Sequence, residues 1–283
     1  MENIRTLSEY ACFGGKQGFY EHDSCVIGLP MRFGVFTPPQ AQHRAVPTLI
    51  YLAGLTCNEE TFAIKAGFQR VAAELGLAIV TPDTSPRGAK LAGESNTWDF
   101  GLGAGFYLDA TEQPWAKHWQ MKSYITQELH DLLVSQFGVD ANQVGIFGHS
   151  MGGHGALTLA LNHPHLYRSV SAFAPIAAPS QCPWGIKAFT GYLGTDSAHW
   201  GSYDATELVR HGARTTHILI DQGTSDQFLA EQLHPHLFEQ VCKEVGQNLT
   251  LRWQQGYDHG YYFIASYVED HLRHHAKMYE LSP

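Results

Sequence analysis

The run Val144-Gly145-Ile146-Phe147-Gly148-His149-Ser150-Met151-Gly152, followed by Ala156, Leu157, Leu159, Ala160 and Leu161, leaves this chain few ways to fold. Residues 144–147 form a short apolar run suited to a buried strand, and the later apolar spacing is that of a helix. Between them stands a serine flanked by glycines. This pattern is a nucleophile elbow: strand, sharp turn, helix. The turn holds Ser150 in a strained backbone conformation with its hydroxyl projecting, and Gly148 and Gly152 fall where neighbouring backbone leaves no room for a Cβ. Ser150 is therefore the candidate nucleophile. The amide of Met151, at the positive end of the helix dipole, is a candidate donor to an oxyanion. The bland alternative is a glycine-rich βα turn with an incidental serine, and the flanking strand and helix weigh against it.

The rest of the chain supplies the frame such an elbow needs. Residues 5–36 alternate short β-like runs with turn signals, an antiparallel meander leading into a sheet. Strands are expected at 46–53, 77–81, 144–147, 169–174, 216–221 and 249–254. Helices are expected at 59–75 (broken by Gly67), 117–137, after the elbow, at 228–245 and after Gly260. Strand alternating with helix predicts an α/β fold of the α/β-hydrolase plan, with a mostly parallel central sheet, helices on both faces and the meander at its amino-terminal edge. The first of these strands stops at Gly54-Leu55-Thr56-Cys57, where the plan puts the second oxyanion amide. That makes the Leu55 amide a candidate, with an ordinary glycine turn the equal alternative. Two stretches, 82–114 and 175–200, are expected to be irregular walls of the site, with a surface insertion the equal alternative for the second. Trp98 and Trp184, one in each, are the candidates for substrate contact.

In this plan an acid follows a late strand and a histidine follows the last one. Asp226 fits the first place better than Asp221, which belongs to the end of its strand; His259 is in the second place. Asp258 adjoins it, but its side chain should point elsewhere. The other late histidines, His271, His274 and His275, fall within a helix and are expected on a solvated face. No His-Glu-x-x-His or Cys-x-x-Cys pattern accompanies them or His234 and His236, so no metal is expected. The glycines of 101–105 do not join a strand directly to a helix, so no dinucleotide cofactor is expected either.

At 283 residues with 44% hydrophobic content, one domain spanning 1–283 is expected to hold a substantial core. A net charge of −9 speaks against nucleic acid as a partner. The start, Met1-Glu2-Asn3-Ile4-Arg5, has no signal-peptide pattern and no apolar run reaches membrane-spanning length; five irregularly spaced cysteines, Cys12, Cys25, Cys57, Cys182 and Cys242, suggest reduced thiols. A cytoplasmic location follows as the expectation.

Several stretches are longer than the generic motif: Gly54 to Cys57, Trp98 to Phe100 and on to Thr111, Gly148 to Leu157, Ser171 to Pro175, Cys182 to Gly185, Gly191 to Thr195, Asp221 to Gly223 with Asp226 to Leu229, and Gly256 to His259. Through them the chain resembles, nearly end to end, the esterase D family of α/β hydrolases, the S-formylglutathione hydrolases. The resemblance implies a Ser150, Asp226, His259 triad. It also implies hydrolysis of S-formylglutathione to glutathione and formate in formaldehyde detoxification, side activity on small esters, and a homodimer or higher homo-oligomer. Cys57 matches a family thiol near the site that confers sensitivity to thiol reagents without acting as nucleophile. Lys65, Arg87, Lys90 and Lys187 lie in or near the expected walls, where an anionic glutathione would need cations. Competing readings are a broad short-chain carboxylesterase, an acyltransferase of the same fold, and a binding protein that has kept the fold without the reaction.

Overall fold

Four strands of this chain, Val46–Leu52, Ala78–Pro82, Ser169–Phe173 and Ile218–Gly223, are buried at every residue, which is why they read as nearly continuous apolar runs without alternation. The computed structural model that shows this describes residues 4–280. Residues 1–3, part of the stretch read above for a targeting signal, and 281–283 lie outside the described residues. In chain order the strands are β1 (Arg5–Cys12), β2 (Gly15–Asp23), β3 (Pro30–Thr37), β4 (Val46–Leu52), β5 (Ala78–Pro82), β6 (Val139–His149), β7 (Ser169–Phe173), β8 (Ile218–Gly223) and β9 (Leu249–Gln254). They join one sheet in the order β1-β2-β3-β5-β4-β6-β7-β8-β9. Pairing is antiparallel from β1 to the β3–β5 seam and parallel from β5 to β9. The chain leaves β4 for β5 on one side and returns to add β6 on the other, so the direction of winding reverses between β4 and β6. The crevice beyond the carboxyl ends of those two strands is where a site belongs.

The helices are α1 (Thr61–Lys65), α2 (Gln69–Leu75), α3 (Met121–Ser123), α4 (His130–Gln136), α5 (Met151–Asn162), α6 (Pro183–Leu193), α7 (Ala205–Arg210), α8 (Pro235–Val245) and α9 (Tyr261–Met278). The expected break at Gly67 separates α1 from α2, with a φ of 69° that ends one helix before the next begins. The expected crossover helix 117–137 is less regular than its periodicity suggests. A 3-10 turn, Trp115–Lys117, precedes α3, and a π-helical segment, Tyr124–Leu129, joins α3 to α4. α2 packs with α9 on one face of the sheet, while α5, α7 and α8 pack in series on the other. Among the described residues no helix is long and apolar enough to cross a membrane.

One expected wall is not irregular. Residues 175–200 contain α6, which opens with Cys182 as N-cap accepting from the Gly185 amide, has Pro183 in its first turn and ends at Gly194. Proline at the start, glycine just past the end, and apolar Trp184, Ala188, Phe189, Tyr192 and Leu193 at helical spacing were the signal.

The late histidines also depart from expectation. His271 and His275 are fully buried, facing β7 rather than solvent. Alternate residues of β7 present Ser169 and Ser171 to α9, and the i, i+4 spacing of the histidines matches that two-residue repeat. Asp221 can only accept, so the donors order themselves in one direction. His271 Nε2 donates to Asp221 Oδ2 (3.1 Å), Ser171 Oγ to His271 Nδ1 (2.8 Å), His275 Nε2 to Ser171 Oγ (2.9 Å), Ser169 Oγ to His275 Nδ1 (2.6 Å) and Tyr279 to Ser169 Oγ (2.7 Å). Each imidazole satisfies both nitrogens while neutral. Burial lowers the pKa of both rings, outweighing the pull of Asp221 on His271. Burial likewise takes His154 down to about 4.

These rings bear on stability. A histidine whose native pKa lies below its unfolded value of about 6.5 costs nothing above that pH; below it the unfolded chain takes up protons that the native chain refuses. Stability should therefore be level above pH 6.5 and fall as the pH is lowered towards 5, with a slope approaching ~1.4 kcal/mol per pH unit for each such histidine. Urea denaturation at half-unit steps measures it; a free energy of unfolding that stays constant across this window would contradict the neutral assignment.

Candidate active site

β6 delivers Ser150 at its carboxyl end with φ 57° and ψ −118°, a conformation few side-chain-bearing residues adopt. The turn is held by backbone. The Ser150 amide donates to Phe173 O (3.0 Å) and its carbonyl accepts from His154 N (2.9 Å) and Ile176 N (3.2 Å). A Cβ on Gly152 would sit 1.9 Å from the Leu52 carbonyl oxygen, so only glycine lets α5 start this close to β4.

That approach brings the loop after β4 beside the serine. Among the described residues neither the Leu55 nor the Met151 amide has a protein acceptor; Leu55 lines the pocket in front of Ser150, and Met151 follows the serine at the start of α5. The loop is fixed from behind by the long segment 82–114. Tyr107 donates to Ala53 O (2.8 Å) and the Thr56 amide to Gly103 O (2.9 Å), while Phe106 O meets His154 Nε2 (3.0 Å). Phe106 and Tyr107 take positive φ values to bury both rings, so this wall is a packed element rather than a loose strap.

His259 Nδ1 and Asp226 Oδ2 are 2.6 Å apart. The acid is oriented by Gln222 Nε2 to Oδ2 (3.2 Å) and by the Phe228 amide to Oδ1 (2.8 Å). His259 lies between two rings, His149 at 4.4 Å and Phe228 at 5.0 Å, so its plane is set by packing as well as by the carboxylate. Ser150 and His259 line one pocket, and among the described residues no hydrogen bond yet joins Oγ to the ring, a contact that commonly tightens when substrate binds. Asp221, the other acid considered, is engaged elsewhere. Arg252 Nε (2.7 Å) and Gln254 Nε2 (2.9 Å) reach its Oδ1, and His271 and Arg252 its Oδ2. Burial alone would raise its pKa, but these hydrogen bonds hold it at about 2. Asp258 turns its carboxylate to the Gly260 amide, away from the ring.

The pocket has a volume of about 240 Å³, and its walls include Cys57, Trp98, Trp184, Phe228 and Tyr261. Trp98 is exposed and meets Trp184 edge to face at 5.5 Å; Trp184 in turn packs on Phe228 at 4.7 Å. Burial pushes the Cys57 thiol above its ordinary range, so it is protonated and poorly suited to nucleophilic attack. Of the four cations considered, Arg87 is tied to Asp83 and Lys187 to Asp99 and Thr97. Lys65 stands 5.6 Å over the Tyr261 ring, and Lys90 is exposed. The sequence reading gave no role to His149, Phe228 or Tyr261. Each is within a residue or two of a motif residue, and that adjacency was the available signal.

The sequence profile of the Esterase family matches residues 24–274. S-formylglutathione hydrolase of Mus musculus is 52% identical over 276 residues, 97% of this chain and 98% of that protein. The enzyme of the same name from Paracoccus denitrificans (strain Pd 1222) is 52% identical over 272 residues, 96% and 97% of the two chains. The solved structure of an S-formylglutathione hydrolase from Agrobacterium tumefaciens superposes with a TM-score of 0.95 at 49% identity, covering 97% of this chain and 99% of that one.

The two acids can be separated by substitution. Asp226→Asn should keep the fold and lower kcat by roughly 10⁴, because the imidazole tautomer is then no longer enforced. Asp221→Asn should lower the melting temperature and leave kcat within a few-fold. Steady-state rates with melting curves on both variants decide it, and the reverse pattern would exchange their roles.

Proposed function

Since the chain belongs to the S-formylglutathione hydrolases within the Esterase family, we infer that it hydrolyses S-formylglutathione to glutathione and formate in formaldehyde detoxification, with side activity on small esters. The observation that carries the reading is the placement of Ser150 at a strained elbow, in one pocket with a histidine held 2.6 Å from a buried carboxylate.

In the proposed cycle His259 Nε2 takes the proton of Ser150 as Oγ attacks the formyl carbon, and the Leu55 and Met151 amides receive the developing oxyanion. Asp226 keeps the proton of Nδ1 in place and stabilises the imidazolium. The C–S bond breaks, glutathione leaves as a thiolate and the imidazolium returns the proton to sulfur. A thiolate is a far weaker base than an alkoxide, so this step is easy. Water, deprotonated by His259, then attacks the formyl ester; the bond to Oγ breaks, Ser150 recovers its proton and formate departs. A pocket of about 240 Å³ suits a one-carbon acyl group with the atoms around sulfur, leaving the tripeptide to extend over the rim.

We further propose that residues 1–283 act as a single catalytic unit, that the enzyme is cytoplasmic and that it forms a homodimer or higher homo-oligomer. Five cysteines, all unpaired, support the second. Family resemblance and the apolar Leu7, Tyr10 and Phe13 left exposed at the β1 edge support the third. Trp98 and Trp184 are proposed to line the leaving-group path, and Cys57 to be a neighbour of the reaction rather than a participant.

Comparing kcat/KM for S-formylglutathione and a short aryl ester, on the wild type and on Ser150→Ala, tests the reading. A clear thioester preference, lost by several orders of magnitude with the serine, is expected; better ester turnover would make the protein a broad carboxylesterase. Cys57→Ala should retain turnover and lose inactivation by thiol reagents, so a folded but inactive variant would give Cys57 a direct part in the chemistry.

A further inference from the structure

Next to the catalytic pocket opens a second, larger cavity of about 500 Å³, between the start of β3 and the loops after β4 and β5. The two meet at one segment, over whose rim a substrate can pass: Cys57 lines the first, while Asn58 and Glu59 line the second. That segment is held by Arg87, whose Nη2 donates to Cys57 O at 3.2 Å.

The charges in this cavity do not cancel. Asp83 is held by Arg87 through Nε to Oδ2 (2.7 Å) and Nη2 to Oδ1 (2.9 Å), and Glu21 is held by Arg32 and Arg5. Glu59 is left over. It is 4% exposed, and among the described residues no group of another residue hydrogen-bonds its carboxylate. Burial, and then the neighbouring Asp83, push its pKa up against the smaller pulls of its own amide and of Arg32, as expected for a buried acid that no other residue's donor reaches. An ammonium group would supply the missing donors and charge. On the rim stands Arg32, half exposed, with only its Nε engaged among the described residues. A buried carboxylate that no donor of another residue reaches and a guanidinium with spare donors, lining one cavity, are complementary to an ammonium and a carboxylate on one carbon, the head group of an α-amino acid.

We propose that this cavity is a subsite for the γ-glutamyl end of the substrate, with Glu59 receiving its α-ammonium and Arg32 its α-carboxylate. The assignment rests on the glutathione thioester reading above. It gives the tripeptide a place to go once the formyl group and sulfur fill a pocket too small for the rest, and it lets an enzyme of net negative charge hold an anionic substrate through a zwitterionic end.

The test is a cycle of two substrates and two proteins: S-formylglutathione and its N-acetyl derivative, on wild type and Glu59→Gln. Acetylation should raise the wild-type KM about ten- to a hundredfold, the worth of one charge-assisted hydrogen bond, with kcat within a few-fold. Glu59→Gln should raise the KM for S-formylglutathione by a similar factor, and acetylation should then cost this variant nothing more. Independent, multiplying losses would overturn the subsite, as would a wild-type KM indifferent to acetylation. Should Glu59→Gln melt early, Arg32→Gln at the exposed rim serves instead, paired with the substrate amidated at the γ-glutamyl α-carboxyl group and read in the same way. A wild type that ignores both thioesters and cleaves only aryl esters defeats the functional reading and the subsite together. Turnover of both thioesters with equal KM defeats the subsite alone.

Discussion

The contact between Gly152 and the carbonyl of Leu52 sets the geometry from which the rest of the site follows. It is a constraint rather than an attraction: backbone meets backbone at a distance no side chain tolerates. Because α5 can start there, the ends of β4 and β6 stand side by side, and the loop after one strand faces the turn after the other. The proposed oxyanion donors and nucleophile thus come from the ends of adjacent strands of a rigid sheet. Loops supply only what must be hung over them, the imidazole and the walls. The strain at Ser150 is borne by the hydrogen bonds of its own amide and carbonyl, so the hydroxyl at the pocket needs no side-chain support.

Two aspartate–histidine pairs sit within the same corner of the fold and have opposite duties. Asp226 and His259 lie on loops at the edge of a pocket, with the ring flanked by other rings and one nitrogen turned to the reaction. Asp221 and His271 lie on a strand and a helix, out of reach of solvent, with every polar atom engaged. An arginine on β9 neutralises the second pair, whereas the first accepts only neutral donors besides its histidine. The acid proposed to face a transient imidazolium is left without a permanent cation, and the acid of the buried series is given one.

Much of this was legible in the chain. The elbow announces itself because its glycines and its serine are local requirements, and the parallel strands because burial on both faces leaves no polar positions. His259 and Asp226 could be placed from their order after late strands. What could not be read are matters of long-range pairing. The π-helical stretch within the crossover has the same apolar spacing as an α-helix to within a residue. The histidines of α9 look solvated until one knows that two serines of β7 stand opposite them, and no property of residues 271–275 reveals that. The unpaired Glu59 was equally silent, since its isolation depends on which arginines other carboxylates have already claimed.

The series from Tyr279 to Asp221 has a direction, and direction carries information along the helix. Hydroxyls and neutral imidazoles can each be turned either way, but the carboxylate at one end permits a single arrangement, as a weathervane line of dipoles with one end nailed down. Sliding α9 by one turn along β7 would put a histidine where a histidine had been and a tyrosine where the next had been, so apolar packing alone would barely notice. The proton order would: the shifted series ends in a different group and cannot be completed. The terminal helix therefore carries a vernier of its own, by which its last turn is aligned with β7 and with a carboxylate at the far end of the series.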